Sequence, residues 1–332
     1  MRSTRSSPPR PPTCRTSRVG TIKTLLTRAF VACAATAVTV VAGPPPLAAA
    51  DELPFDLNKL RDGNLPRLPF AGLDDVFTGS AGGGGSASGQ PVPVGNLPGW
   101  RHIFRDDFTK NAPVGSWANA CDSGKVVYTG AQGQQWRTYP QCWVDTRLRN
   151  PYRPDQVLSV RNGVLNFHLH SVDGRPAGAN PSPIIKNGSQ YQTYGRYSVR
   201  MKVDNPYLSD YGVAWLLWPQ SDNWPWDGEI DFPESSLTGT AHGYHHYARQ
   251  GSCNTCQLAV NTGARYTDWH TYTIEWSPNR IRMLLDNTVV MNTTDWVPDS
   301  PMRWQLQTET YGNGTSNGNL LVDWVSVWEY AP

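Results

Sequence analysis

Three acidic side chains, Glu229, Asp231 and Glu234, lie close together in one largely apolar stretch of the sequence. Side chains alternate between the two faces of a β-strand, so Glu229 and Asp231 point the same way while Glu234 would point the other way. A one-residue β-bulge at Phe232-Pro233 would return Glu234 to the first face, and proline favours a bulge because a regular interior strand disfavours it. The sequence therefore predicts three carboxyl groups that converge on one face of a sheet.

Such a cluster holds the groups that cleavage of a glycosidic bond requires. Neighbouring negative charge raises the pKa of at least one carboxyl, so an ionised carboxylate and a protonated acid can exist side by side. The carboxylate attacks an anomeric carbon, the acid protonates the leaving oxygen, and Asp231 would hydrogen-bond the nucleophile. We expect the two glutamate Cα atoms roughly 13 Å apart. Side chains that lean together on a concave sheet would bring the carboxyls to about 5 Å, the separation that retains anomeric configuration.

The same acids would also suit a calcium site or a solvated edge strand. The pattern alone arises by chance often enough that its surroundings must decide between these interpretations. The acids are flanked by large apolar residues, Trp224, Trp226, Ile230 and Phe232. Such neighbours are not typical of a solvated face, and they favour a catalytic site.

Alternating apolar and polar residues predict β-strands throughout the region around the acids. A hairpin turn at Asn162-Gly163 precedes one such strand, and Asp286-Asn287 joins two others. The inward-facing positions are Leu165, Phe167, Leu169, Tyr197, Val199, Met201, Val203, Tyr272, Ile274 and Trp276, and further strands are expected over 281–285, 288–291 and 321–330. No long amphipathic helix is indicated. We therefore predict an all-β fold built as a sandwich of two sheets.

The chain divides into three parts by composition. Residues 1–50 carry seven basic and no acidic residues, an apolar run from Ala29 to Gly43 and small residues before Asp51, an order that predicts a signal peptide and export. Residues 51–97 are rich in Gly, Ser and Pro and predict a flexible linker. All 14 tryptophans follow residue 99, so the folded domain is expected over residues 98–332.

Two other interpretations of the N-terminal part are less favoured. The apolar run is shorter than the ~20 residues that cross a bilayer, which weighs against a membrane anchor. Lipoprotein cleavage at Cys33 would leave almost no apolar segment ahead of the cysteine. Without the leader, 22 of the 29 basic residues remain against 27 acidic ones. That acidic balance excludes binding to nucleic acid or to an anionic membrane through net charge.

Four cysteines lie beyond the predicted leader, and an even number in an exported chain predicts disulfides. Four cysteines allow three pairings, of which we favour the two local ones, Cys121–Cys142 and Cys253–Cys256. The short Cys253–Cys256 spacing also suits a redox or zinc site. No helical pattern follows it and no second close pair completes a zinc site, so a structural disulfide is preferred.

The acid-bearing stretch resembles the active-site strand of family 16 glycoside hydrolases, the laminarinase, lichenase and agarase group. The family has Glu-x-Asp followed by a second Glu two or three residues on, and this chain has the longer, bulged form. The resemblance covers about residues 100 to 330. It extends to the segments 104–108, 194–202, 214–217, 269–276 and 322–328.

This resemblance implies a concanavalin-like β-jelly roll of two curved antiparallel sheets and a double-displacement mechanism. It implies that Glu229 is the nucleophile, Asp231 its assistant and Glu234 the general acid/base. No cofactor is expected for catalysis. Many family members carry a structural calcium ion, for which Asp323 is the expected ligand here.

Sugar-contacting residues are predicted from residue type and from the resemblance. Tryptophan rings stack on sugar C–H faces, although most tryptophans of a domain serve its core. Trp224 resembles the family's stacking tryptophan. The other candidates are Trp218, Trp226, Arg196, His246 and, less favoured, His245. A metal role for the histidines around His242 lacks an evident third ligand.

The leading hypothesis is a secreted, monomeric, retaining endo-hydrolase of a β-linked polysaccharide, with a β-1,3-glucan as the expected substrate. A transglycosylase of the same fold and a non-catalytic carbohydrate-binding module are the alternatives. Retention of all three acids disfavours the binding module. Linkage, cleavage mode and acceptor preference do not follow from the sequence.

Overall fold

A computed structural model of the chain describes residues 86–251 and 255–332. The predicted signal peptide, residues 51–85 of the predicted linker and Cys253 lie outside the described residues. In the described part the one helix is α1 (Pro154–Val157). No helix among these residues has the length and apolarity to cross a membrane.

Strands make up nearly half of the described residues. They are β1 (Trp100–Asp106), β2 (Tyr128–Thr129), β3 (Gln135–Thr138), β4 (Leu158–Arg161), β5 (Val164–Leu169), β6 (Ser171–Val172), β7 (Arg175–Pro176), β8 (Pro181–Ile184), β9 (Tyr191–Gln192), β10 (Gly195–Val203), β11 (Tyr211–Pro219), β12 (Glu229–Ser236), β13 (Thr240–His246), β14 (Gln257–Arg265), β15 (His270–Ser277), β16 (Arg280–Leu285), β17 (Thr288–Thr293), β18 (Met302–Thr310) and β19 (Gly318–Tyr330). The predicted strands are all present.

Two large antiparallel sheets dominate the described residues. One has the order β17-β16-β15-β10-β19-β5-β4, with β1 also paired to β19, and the other has the order β14-β13-β12-β11-β18-β9. Two smaller sheets, β2-β3-β8 and β6-β7, accompany them. The predicted all-β sandwich is therefore confirmed, and the strand that carries the three acids is interior to the six-stranded sheet.

The core lies between the two large sheets. Aromatic rings meet across it, with centroid distances of 5.3 Å for Phe232 and Tyr272 and 5.5 Å for Tyr197 and Trp304. The apolar positions that alternate along β5, β10 and β15 are all buried. Burial of each large apolar side chain contributes roughly 1.5–3 kcal/mol, so this core dictates which residues of each strand face outward.

Residues 86–97, which the sequence assigned to the flexible linker, run along the outer face of β19. The indole N–H groups of Trp324 and Trp328 donate to the carbonyl oxygens of Gln90 and Gly95 at 2.9 and 2.8 Å. We name residues 86–97 the N-terminal strap. Composition predicts a flexible linker up to residue 97, and it does not reveal that backbone carbonyls of this segment accept hydrogen bonds from a distant strand.

Asp323 lies beneath the N-terminal strap. Its carboxylate accepts hydrogen bonds from the Ser86 hydroxyl at 2.5 Å, from the Ala87 N–H at 2.9 Å and from both the N–H and the hydroxyl of Ser88. These four donors satisfy both carboxylate oxygens of a side chain that is almost fully buried. Asp323 therefore attaches the strap, and calcium ligation at this residue stays a prediction.

The cysteines agree with the local pairing where the structure describes them. Cys121 and Cys142 form a disulfide with a Cα–Cα distance of 5.4 Å, which confirms the first predicted pair. Cys256 is also in the disulfide form. Its predicted partner, Cys253, lies outside the described residues.

Candidate active site

The predicted bulge is present in β12. Between Asp231 and Glu234 this strand advances three residues while the pairing on β13 advances two, from Tyr244 to His242. The pairing with β11 shows the same extra residue. Because both neighbouring strands record the shift, the bulge at Phe232-Pro233 belongs to β12 itself.

The bulge places Glu234 on the same face as the other two acids. Ile230 and Phe232 are buried in the core, so the side chains that alternate with them point away from it. On β13, Ala241 lies in the core and His242 is directed outward. Glu234 pairs with His242, and paired residues of an antiparallel ladder share a face. We name the outward face of the six-stranded sheet the acidic face.

A row of rings on β13 lies beside the acids. His242, Tyr244 and His246 stack in succession, with centroids 6.1 and 6.2 Å apart and planes within 17° of parallel. They pair with Glu234, Asp231 and Glu229 respectively. His246 was predicted for this position, and Nε2 of this residue lies 3.4 Å from Oδ2 of Asp231. Tyr244 was missed, although its alternation with the histidines was the signal that could have found it.

The structure corrects the prediction for His245. This side chain points to the opposite face from His246 and has no exposed surface. Nε2 of His245 lies 2.9 Å from the carbonyl oxygen of Asp295, and burial lowers the pKa of the imidazole. A neutral, enclosed ring is a structural element and does not contact a sugar.

Two of the three predicted tryptophans adjoin the acids. The rings of Trp218 and Trp224 stack with centroids 6.5 Å apart and planes 10° from parallel. The Trp224 side chain hydrogen-bonds Glu229, and its ring meets that of His246 edge-on at 6.0 Å. Trp226 lies in the same loop and is 54% exposed, and none of the described ring contacts joins it to the acids.

A polar network fixes the first of these rings. The Trp218 indole N–H donates to Oδ1 of Asp222 at 2.7 Å, and Arg303 donates to the same oxygen at 3.1 Å. Arg303 also donates to the hydroxyl of Tyr139 at 2.9 Å. Because Trp218 stacks on Trp224, this network orients the indole that reaches Glu229.

Sequence reasoning missed the polar row that β18 contributes to the acidic face. Met302, Trp304 and Leu306 are buried in the core, so the residues between them face outward. The outward residues of β18 are Arg303, Gln305, Gln307 and Glu309. Glu309 accepts a hydrogen bond from the Thr146 hydroxyl, and burial raises its pKa. Strict alternation in the sequence from 302 to 310 was the available signal.

The structure also corrects the prediction for Arg196. This residue lies on β10 in the eight-stranded sheet, where it forms an ion pair with Glu275 and covers the ring of Trp328 at 5.5 Å. Its neighbour Tyr197 points into the core, so Arg196 points outward from the sheet that does not carry the acids. The alternation was evident in the sequence, but the assignment of the strand to a sheet was not.

Burial and mutual repulsion determine the protonation of the acids. Burial, followed by the charge of Asp231, raises the pKa of Glu229 well above its ordinary value. Burial and the charge of Glu234 raise the pKa of Asp231 in the same way. The side chains of Asp231 and Glu229 hydrogen-bond each other, and Oδ2 of Asp231 lies 3.4 Å from Nε2 of His246. Two buried carboxyls in contact share a proton, so Asp231 can hold it when Glu229 is ionised.

Glu234 has the protonation behaviour of an acid catalyst. Burial, and secondarily the charge of Glu229, raise the pKa of Glu234 to about 8, while His246 opposes the shift. The charge of Glu309 adds to the increase. At neutral pH the carboxyl therefore carries a proton that it can donate to a leaving oxygen.

One group of side chains in the described part of the chain has the spacing of a metal site. Ligand atoms of Glu229, Asp231 and His246 lie within 4.8 Å of one another. Glu229 and Asp231 are predicted catalytic residues, and His246 is a predicted sugar contact. The group therefore belongs to the acid cluster.

The family's sequence profile decides the assignment. The profile described as "Glycosyl hydrolases family 16" matches residues 150–326, which is more than half of the 332-residue chain. The chain belongs to glycosyl hydrolase family 16. The matched region contains the three acids, the rings of β13 and the polar row of β18.

Two curated relatives carry different named activities. A β-glucanase of Rhodothermus marinus is 30% identical over 205 residues, which are 58% of this chain and 65% of that protein. A keratan-sulfate endo-1,4-β-galactosidase of Sphingobacterium multivorum is 31% identical over 138 residues, 39% of this chain and 31% of that protein. The matches thus span less than two thirds of these relatives.

Solved structures of the family confirm the jelly-roll fold. The endo-β-1,3-glucanase from Pyrococcus furiosus superposes with a TM-score of 0.51 at 17% sequence identity, covering 72% of this chain and 99% of that one. The likeness establishes the arrangement of two antiparallel sheets.

The raised pKa of Glu234 predicts a pH-dependent effect of Glu234→Gln on stability. The carboxyl titrates near 4.5 when unfolded and at about 8 when folded, so the folded state holds its proton more tightly. The contribution of this tightly held proton to the free energy of unfolding is fully present below pH 4.5 and is lost as the pH rises through 8. We expect the melting temperature of Glu234→Gln, relative to wild type, to rise by about 2–4 °C between pH 5 and pH 8.5. A difference that stays constant or shrinks over this range would contradict the burial of an acidic proton.

Proposed function

We propose that this family 16 protein is a retaining endo-hydrolase of a neutral β-linked glucan, with β-1,3 linkages as the first expectation. The observation that carries the proposal is the bulge in β12, because it aligns Glu229, Asp231 and Glu234 on one face. A strand without the bulge would direct one glutamate into the core, and no pair of acids could act on the same bond.

In the first step, the carboxylate of Glu229 attacks the anomeric carbon while Glu234 donates its proton to the departing oxygen. Glu234 suits this task because its pKa of about 8 keeps it protonated at neutral pH. Glu229 must be ionised to attack. Asp231 assists by carrying the proton of the buried pair and donating a hydrogen bond to Glu229, which disperses the charge that Glu229 bears before attack.

In the second step, Glu234 acts as a base. Loss of its proton in the first step leaves a carboxylate that removes a proton from water, and the water attacks the glycosyl ester on Glu229. Two displacements at the same carbon restore the original anomeric configuration. The network from Arg303 through Asp222 and Trp218 to Trp224 would hold the sugar-facing indole in place throughout.

A neutral substrate fits the acidic face better than a sulfated one. Arg303, the basic residue of the β18 row, is already paired with Asp222 and is not free to bind a sulfate group. Among the named activities of the relatives, the β-glucanase of Rhodothermus marinus therefore fits better than the keratan-sulfate galactosidase.

Export remains part of the proposal. It is supported by the basic N-terminal segment, the following apolar run and the even number of cysteines beyond them. A polymeric substrate outside the cell is consistent with such a route.

The proposal is tested by release of reducing ends from a panel of polysaccharides. Laminarin and lichenan are expected to be cleaved to oligosaccharides of mixed length, agarose and galactan much less, and keratan sulfate least. Glu229→Gln is the matched inactive control. Failure of purified protein to release reducing ends from every member of the panel would overturn the assignment, and preferential cleavage of the sulfated chain would overturn the choice of a neutral substrate.

A further inference from the structure

Two tryptophans outside the acid cluster are unusually accessible. Trp226 is 54% exposed in the loop between β11 and β12, and Trp296 is 47% exposed in the loop between β17 and β18. Indole rings are costly to leave in water, and exposed rings in a soluble protein frequently mark binding surfaces.

Backbone hydrogen bonds tie the two loops to a third segment between them. The Ala248 N–H donates to the carbonyl oxygen of Trp296 at 3.0 Å, and the next N–H, that of Arg249, donates to the carbonyl oxygen of Trp226 at 2.7 Å. Ala248 and Arg249 lie in a turn in which Arg249 has a positive φ of 61°, so a single turn holds the backbones of both loops.

Close packing holds these loops in position. A Cβ atom at Gly228 would lie 2.9 Å from Pro298 and 3.0 Å from the carbonyl oxygen of His246, and the positive φ of Gly228 also favours glycine. Arg249 donates to the carbonyl oxygen of Val297 at 3.2 Å. The exposed rings are therefore carried on fixed supports, which reduces the entropy lost on binding.

Polar groups of the kind that bind sugar hydroxyls lie beside the rings. Arg249 forms an ion pair with Asp299 at 3.3 Å, and both side chains remain accessible, at 41% and 70%. Aromatic faces for C–H groups and a charged pair for hydroxyls are complementary to a carbohydrate.

We propose that Trp226 and Trp296 form a second sugar-binding surface, which holds the stretch of the glucan chain that extends beyond the bond being cleaved. The inference rests on the proposed function. The surface is continuous with the acid cluster, because Trp226 follows by two residues the Trp224 indole that hydrogen-bonds Glu229. That continuity favours the same polysaccharide chain as the occupant over a second copy of the protein.

The test measures equilibrium binding of the full chain to a long β-glucan and to a trisaccharide of the same linkage, in the Glu229→Gln background so that turnover does not intervene. Adding Trp296→Ala is expected to weaken binding to the polymer about fivefold and to leave trisaccharide binding unchanged. Trp296→Phe should restore most of the affinity. Tyr207→Ala, at an exposed ring in the loop between β10 and β11, is the matched control and should change neither affinity.

Three results would overturn the inference: equal polymer binding with and without Trp296, an equal loss for polymer and trisaccharide, or no polymer binding by the parent protein. A dimer that Trp296→Ala converts to a monomer in light scattering would assign the surface to self-association instead. The proposed function fails separately, when the unaltered protein binds the glucan but releases no reducing ends.

Discussion

Inserting one alanine between Pro233 and Glu234 is expected to reduce glycosidic cleavage at least about 1,000-fold, whereas deleting Pro233 should leave activity within about 100-fold of wild type. The insertion advances the alternation by one residue and turns Glu234 toward the core. The deletion removes the extra residue of the bulge, so that β12 pairs regularly with both neighbours and Glu234 stays outward. Initial rates on the best polysaccharide of the panel provide the measurement.

The two variants are matched, since each changes the length of β12 by one residue at the same point. Thermal melts establish which of them folds. The deletion variant is informative even if the insertion variant does not fold, because removing the extra residue of the bulge leaves a regular strand in which Glu234 keeps its outward direction. A folded deletion variant with no activity, beside an active insertion variant, would reverse the assignment of the face.

Replacing Glu229 with Gln is expected to lower kcat by at least about 10,000-fold on every substrate, because no other group can form the glycosyl ester. Glu234→Gln should be selective. It should lower kcat about 100- to 10,000-fold on polysaccharide, where the leaving oxygen needs a proton. On a 2,4-dinitrophenyl glycoside, whose leaving group departs as a stable anion, it should cause a much smaller loss in the first step. Pre-steady-state release of dinitrophenol measures that step directly.

Glu309→Gln is a suitable control for these two variants. Glu309 lies on the same acidic face and is also largely buried, but it is not proposed to touch the reacting bond. Its replacement should leave kcat within about tenfold of wild type at neutral pH. Equal sensitivity of the polysaccharide and the dinitrophenyl glycoside to Glu234→Gln would contradict its role as the acid.

Much of the sandwich follows from alternation in the sequence. Leu165, Phe167 and Leu169 on β5 and Tyr272, Ile274 and Trp276 on β15 were assigned to the core, and all are buried. The bulge in β12 was predicted because a proline interrupts a strand between two acids that need one face. These inferences succeed because side-chain direction along one strand is a local property.

The remaining errors concern relations between strands that are distant in the sequence. His245 and His246 necessarily point to opposite faces, but only the register with β12 shows that His246 meets the acids. Arg196 was placed in the cleft because its sheet was unknown. The contacts of the N-terminal strap were missed because they use backbone carbonyl groups, which every residue carries whatever its side chain.

Pairing across the sheet also explains why Glu309 was overlooked. It is 75 residues beyond Glu234 in the sequence, yet β11 lies between their strands and brings both to the same face. The alternation of Arg303, Gln305, Gln307 and Glu309 signals an outward polar row. Nothing local indicates that this row borders the catalytic acids.

The account depends on a separation of the two glutamates that suits a covalent intermediate, about 5 Å between carboxyls, and not the about 6.5–9.5 Å that admits a water for direct attack. The most direct test follows the first minutes of β-glucan cleavage by proton NMR, before the new reducing ends mutarotate. The account predicts that the β anomer forms first and the α anomer grows in later. Initial formation of the α anomer would show single displacement with inversion and would contradict the assignment of Glu229 as the nucleophile.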